Sequence, residues 1–181
     1  MSVELIETGL TQPAQLYRCH SELMGVVRSN ETYRLVAVQP IVAGTVLFQI
    51  EGKLTQRPTR YSVQIEEGCH IDLDEGHSSE EILDRYFWRF MNHSCLPNTM
   101  ICGRDVMATC PIEPWKDVTF NYTTTEFAMA EPFECQCGNQ GCLGTIRGFK
   151  YLDSVHRESL RSVLAPHLRR LLPSDDGCRP A

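Results

Sequence analysis

The spacing of apolar positions changes several times along the chain. Residues 33–50 (YRLVAVQPIVAGTVLFQI) are rich in β-branched side chains and are cut by Gln39-Pro40 and Ala43-Gly44, which predicts short strands joined by turns. YSVQI (61–65) alternates, and CHIDL (69–73) follows it across Glu67-Gly68, so a second pair of strands is expected there. In SSEEILDRYFWRFMN (78–92) the period becomes helical. Ser78 with Glu81 three residues on forms a capping-box pattern, and Ile82, Leu83, Tyr86, Phe87 and Phe90 recur on one face. One helix running into Asn92 is expected. TMICG (99–103) and DVMATCPI (105–112) predict paired strands around Gly103-Arg104, and DVTFNY (117–122) predicts a buried strand. YLDSVHRESLRSVLAPHLRRLL (151–172) predicts two short helices divided at Pro166, followed by a loose tail, PSDDGCRPA. Many short strands, few helices and no βαβ alternation predict a mostly β fold with short helices. They exclude a doubly wound nucleotide fold, and no glycine-rich phosphate loop is present.

Composition adds limits. The chain has 181 residues, 42% of them hydrophobic and 22% charged, enough for the core of one domain with a small appendage. No apolar run approaches the ~20 residues of a membrane span. MSVELIETGL has no basic start followed by an apolar stretch, so no secretory signal is expected. The expected location is cytoplasmic, or nuclear in a eukaryotic source. Seventeen Lys and Arg against 23 Asp and Glu leave a net charge of −6. That argues against direct nucleic-acid binding, which needs basic side chains to displace phosphate counterions, and it suits a basic peptide as partner.

Nine cysteines, an odd number without an export signal, favour metal binding or free thiols over a disulfide framework. Cys135, Cys137 and Cys142 form a C-x-C-x4-C run whose thiolates can converge on one ion. Structural zinc takes four ligands, so one more must come from elsewhere. Cys19, Cys69, Cys95, Cys102, Cys110, Cys178 and six histidines are all candidates, and spacing does not choose among them.

RFMNHSCLPNT (89–99), VTFNY (118–122) and CQCGNQGCLGTI (135–146), in that order, resemble SET-domain protein lysine methyltransferases with a zinc-binding post-SET tail. The resemblance covers roughly residues 30 to 150. It implies a fold of small curved sheets with a pseudo-knot, a zinc-stapled C-terminal segment and terminal helices. The implied units are a SET domain at 28–124, a post-SET zinc segment at 131–148 and a helical extension at 149–172. The implied methyl donor is S-adenosylmethionine, bound on one face, with a lysine of a protein or peptide entering a narrow channel from the other.

By position, Arg89, Asn92, His93 and Tyr122 would hold the cofactor. Tyr122 would be catalytic together with Tyr61, and Tyr61 and Phe120 would line the substrate channel. Asp72 matches an acidic position. Cys95 would complete the zinc site of Cys135, Cys137 and Cys142. Phe120, two before the tyrosine, lacks the hydroxyl that crowds out added methyls, which implies di- or trimethyl-lysine as product.

The chain also departs from the family pattern. A G-x-G place reads Thr32-Tyr33-Arg34, and the G-E-E-L before the catalytic strand reads WKDV, keeping an acid at Asp117. A SET-like module that binds peptide without transferring methyl is the main alternative. A His93/Cys95 nucleophile is disfavoured because such partners usually meet through folding rather than two residues apart.

Overall fold

The computed structural model describes residues 2–6, 14–18, 21–29 and 32–173. Among these residues the strands assemble into five small sheets. The first is an antiparallel meander of β1 (Ser2–Ile6), β2 (Ala14–Arg18), β3 (Met24–Ser29) and β4 (Thr32–Ala37), in that order. Successive side chains of a strand face opposite ways. Accordingly Val27 packs with Leu16 and Val36 in a small cluster, while Val26 joins Met24 and Leu35 in the main core. The sequence reading assigned strands only from residue 33, so β1 to β3 are additions, and the boundary expected at 28 falls inside β3.

A second sheet orders β10 (Thr99–Cys102), β11 (Asp105–Ala108) and β5 (Val46–Gln49); a third orders β6 (Lys53–Thr55), β8 (Cys69–Asp72) and β7 (Val63–Glu66). Gly68 and Gly103 make the turns expected of them, at φ of 66° and 63°. Two-stranded pairs complete the set: β9 (Asn92–His93) with β12 (Thr119–Phe120), in parallel, and β13 (Phe133–Glu134) with β14 (Thr145–Ile146). The parallel pair lays the 92–95 segment beside the strand before Tyr122, the contact on which the expected pseudo-knot depends.

The helix expected over 78–92 is broken. Ser78 and Glu81 do form a capping box, but α1 (Ser79–Arg85) ends at Tyr86 (φ −104°, ψ 55°), and a 3-10 turn, Phe87–Phe90, follows. Turning the chain there lets the Trp88 indole N–H donate to Glu51 O at 3.0 Å and brings Arg89 to Asp72. The strand expected over 117–122 is likewise shortened. Asn121 Oδ1 accepts from Thr123 N–H (3.0 Å) and Thr123 Oγ1 (2.7 Å), which caps a 3-10 turn at Tyr122–Thr124 in the way short polar side chains compete with strand pairing.

Two short C-terminal helices form as expected, α2 (Ser154–Ser159) and α3 (Pro166–Arg169), with Pro166 in the first turn of α3. Phe149, Leu164 and Leu168 give them a core of their own. The tail expected from residue 174 onward lies outside the described residues.

Gly52 fixes how β6 meets β8. Its φ is 149°, and a Cβ would lie 2.4 Å from Asp72 O and 2.8 Å from Ile71 Cγ2. Gly44, at φ 83°, has open space around it. Gly52→Ala should therefore destabilise by roughly 2 kcal/mol or more, combining backbone strain with overpacking, and Gly44→Ala by less. The urea midpoints of the two variants check this, and equal losses would remove the assigned contact.

Candidate active site and thiol cluster

The segment Asn92–Cys95 leaves the 3-10 turn in extended form and pairs with β12, Asn92 opposite Thr119 and His93 opposite Phe120. Ser94 N–H continues the ladder to Phe120 O at 3.1 Å. This register sets His93 against the start of the next turn, where Tyr122 N–H donates to His93 Nδ1 at 3.2 Å. The other ring nitrogen, Nε2, lies 3.3 Å from Cys95 Sγ. Burial lowers the His93 pKa to about 4, so the ring is neutral at pH 7. With Nδ1 accepting, the ring hydrogen belongs on Nε2 and points at the sulfur. Both nitrogens are thus engaged within the protein, which leaves the ring edge and main chain to face a ligand.

Tyr122 stands where two cavities meet. One is about 800 Å³, within the ordinary range for small-molecule sites, and its lining includes Thr32, Tyr33, Tyr61, Arg89, Asn92, His93, Asp117, Tyr122 and Phe133. The other is about 50 Å³, and its lining includes Tyr61, Val63, Met91, Phe120, Tyr122 and Glu126. Arg60, Tyr61, Arg89, Tyr122 and Met129 line both. The Tyr122 hydroxyl donates to Met91 O at 2.9 Å. Burial pushes its pKa up to about 12, with the charge of Glu126 adding to the effect and that of Arg60 opposing it. At neutral pH the phenol keeps its proton and serves as a hydrogen-bond donor. Its ring packs against Phe120 (centroids 4.7 Å apart), His93 (5.2 Å) and Phe133 (5.9 Å).

The sequence-assigned residues fall around this junction. Asn92 lines the large cavity and donates from Nδ2 to Tyr33 O at 3.3 Å. Phe120 is buried and lines only the small one. Tyr61 is 53% exposed at the rim of both. Arg89 stacks over its ring at 4.2 Å and pairs with Asp72 at 3.1 Å. Burial lowers the Arg89 pKa while Asp72 opposes that shift, and Asp72 is itself held by Thr59 Oγ1 at 2.6 Å. Arg34, in the place of a family glycine, pairs with Asp117. Met129 also lines both cavities, Tyr33 the large one and Glu126 the small one, and sequence reasoning passed over them. Tyr33 lay inside the noted TYRLVA stretch; nothing in the local pattern marks Glu126.

Beyond His93 the four sulfurs of Cys95, Cys135, Cys137 and Cys142 all lie within 4.8 Å of one another. Cys95 Sγ is 3.8 Å from Cys135 Sγ and 4.0 Å from Cys142 Sγ. A tetrahedral zinc with bonds of ~2.3 Å spaces its sulfurs by about 3.8 Å, so the residues fit the ion. Main-chain N–H groups of Leu143, Cys137 and Gly144 already aim at Cys95, Cys135 and Cys142, at 3.4, 3.4 and 3.5 Å, and such donors favour the ionised sulfur. Burial drives the Cys95 and Cys135 thiols up, whereas the Asn139 main-chain N–H draws Cys137 down to about 6. A cation is what would let all four ionise together. Of the other cysteines, Cys69, Cys102 and Cys110 stand apart from the cluster, and Cys19 and Cys178 lie outside the described residues.

The SET domain family model matches residues 32–123, half of the chain. The chain belongs to the SET-domain family, whose methyltransferases take their methyl group from S-adenosylmethionine. It is 29% identical over 160 residues to the methyltransferase flvH of Aspergillus flavus, an alignment spanning 84% of this chain and 83% of that one. It is 27% identical over 143 residues to an H3 lysine-36-specific histone-lysine N-methyltransferase of Cryptococcus neoformans, covering 71% of this chain but only 17% of that much longer protein. The methyltransferase domain of the human histone-lysine N-methyltransferase SETMAR aligns at 15% identity and a TM-score of 0.49, over 67% of this chain and 56% of that one. Among the described residues no helix is long and apolar enough to cross a membrane.

A zinc ion held by all four thiols implies that Cys95→Ser lowers zinc content about as far as Cys137→Ser does. Elemental analysis of the purified variants reads this directly, and full occupancy in Cys95→Ser would place the fourth ligand elsewhere. Because metal binding is coupled to local folding, chelation should also speed hydrogen exchange over residues 123–150.

Proposed function

We propose that the protein transfers a methyl group from S-adenosylmethionine to the side-chain amine of a lysine in a protein or peptide. The observation that carries this reading is the position of Tyr122, a half-buried, protonated phenol that lines both a wide cavity and a narrow one. The wide cavity takes the cofactor, against Tyr33, Arg89, Asn92 and His93. The narrow one takes the lysine, between Tyr61, Val63 and Phe120. The H3 lysine-36-specific name of the Cryptococcus relative and the net charge of −6 support an acceptor lysine in a basic segment.

When bound, the cofactor supplies a sulfonium methyl. The side chains supply alignment and dryness. An alkylammonium cannot attack, and an apolar channel favours its neutral form. Tyr122 orients the neutral amine through its hydroxyl oxygen, which can accept an amine N–H while its own hydrogen is given to Met91 O. Phe120 and Val63 keep water out of the channel. Cys95, Cys135, Cys137 and Cys142 hold a structural zinc, and four thiolates leave it no open position.

Incubating the protein with labelled cofactor and a cell extract, followed by mass spectrometry, tests the reading. Methyl-lysine in protein substrates is the expected result, and label elsewhere or nowhere would overturn it. Tyr122→Phe should lower turnover on the order of 10²-fold, as misalignment of reacting groups does, while calorimetry shows cofactor binding nearly unchanged. Phe120 offers no hydroxyl to the amine, so a side chain that already carries methyls can rotate and react again, and di- or trimethyl-lysine is the expected product. Phe120→Tyr should then shift product masses at long reaction times toward monomethyl-lysine without abolishing the first transfer.

A further inference from the structure

Tyr61 is half exposed at the rim of both cavities. A side chain so placed exchanges rotamers freely unless the protein holds it. Two arms hold this one. The first reaches the ring: Arg89 Cζ lies 4.2 Å from the ring centroid, a cation–π contact. The second reaches the main chain. Tyr61 N–H donates to Thr59 Oγ1 at 3.2 Å, and Ser62 N–H donates to the same oxygen at 3.1 Å.

Both arms end on one carboxylate. Asp72 Oδ1 receives Arg89 Nη1 at 3.1 Å and Leu73 N–H at 2.8 Å, and Oδ2 receives the Thr59 hydroxyl at 2.6 Å. Asp72 is the last residue of β8 and pairs with Lys53 of β6, so its main chain is fixed by the sheet. The donor count specifies the group needed. The Thr59 hydroxyl accepts two N–H bonds, which uses both lone pairs and leaves its one hydrogen to give. Arginine and a main-chain N–H can only donate. Each Asp72 oxygen therefore faces donors alone. An amide would set its NH2 against one of them whichever way it turned. Asp72 is not among the residues lining either cavity, so any effect it has on the reaction passes through the groups it holds.

We propose that Asp72 is a positioning residue that sets the orientation of Tyr61, holding the ring through Arg89 and the main chain through Thr59. With the carboxylate in place, the Tyr61 ring stays at the mouth of the narrow cavity while an acceptor chain enters beside it. The consequence for turnover rests on the methyl-transfer reading. The orientation of the ring does not.

Asp72→Asn tests this in two ways. The first is NMR of protein labelled in its tyrosine rings, with the Tyr61 signal identified by its absence from Tyr61→Phe. In Asp72→Asn that signal should move toward its unfolded-chain position while the signal of Tyr151, in the C-terminal extension, stays where it is. A Tyr61 signal that does not move overturns the proposal. Should Asp72→Asn displace Tyr151 as well, Thr59→Val, which cuts the main-chain arm alone, decides, and an unmoved Tyr61 signal there is equally fatal. The second is a double-mutant cycle on kcat. Asp72→Asn should lower kcat about tenfold or more when Tyr61 is present, as misalignment does, and by less than about twofold when Tyr61 is already alanine, because residues acting through one another are not additive. Equal factors in the two backgrounds would reduce Asp72 to a structural ion pair. Where turnover is too low to read, the ring signal alone decides. Movement of that signal without methyl-lysine formation would refute the methylation reading and leave the role of Asp72 standing, so the two failures are separable.

Discussion

A single uncharged imidazole joins the two halves of this site. His93 accepts from the main chain of Tyr122 with one nitrogen and faces the Cys95 sulfur with the other. Burial keeps the ring neutral, and only a neutral ring can accept at one nitrogen and donate at the other. The position of the tyrosine at the cavity junction and the position of the thiol cluster are therefore one constraint. This explains why Asn92, His93 and Cys95 crowd into four positions. The parallel pairing of β9 with β12 brings the segment to the tyrosine, and the next turn of chain carries its thiol to the other three.

Much of this was legible in the sequence, though unevenly. The strand pairs around Glu67-Gly68 and Gly103-Arg104, the capping box at Ser78 and the division at Pro166 rest on local rules, and the structure contains them. The C-x-C-x4-C spacing supplied three thiols. It could not single out Cys95, because the 3.8 Å approach of Cys95 to Cys135 spans 40 positions. Non-local demands also broke the helix at Tyr86, where an apolar period of helical type continued but Trp88 and Arg89 were needed by Glu51 and Asp72. Glu126 was invisible for a related reason. An acid following three threonines reads as a solvated loop, and its burial depends on Gln64, 62 positions away.

Two departures from the family pattern turn out to be partners. Arg34 occupies the place of a glycine and Asp117 follows a missing one; the structure pairs them across 83 positions. A glycine yields space at a ligand's edge, whereas a neutralised ion pair yields a polar rim. Asp117 and Thr32 both line the large cavity, so the rim there is built from side chains where the family pattern relies on bare backbone.

The C-terminal extension reaches back to the loop that begins at Tyr122. Ala165 N–H donates to Thr124 O, His167 Nε2 pairs with Thr125 O, each at 2.8 Å, and Phe149 N–H donates to Glu126 O at 2.9 Å. These carbonyls belong to buried residues, and a buried carbonyl without a donor is costly. During synthesis, then, the sheets and the thiol-bearing segment can emerge and pack while the loop beside the cavities still lacks its last donors. The loop beside the cavities is therefore fully bonded only once the chain through residue 167 is in place.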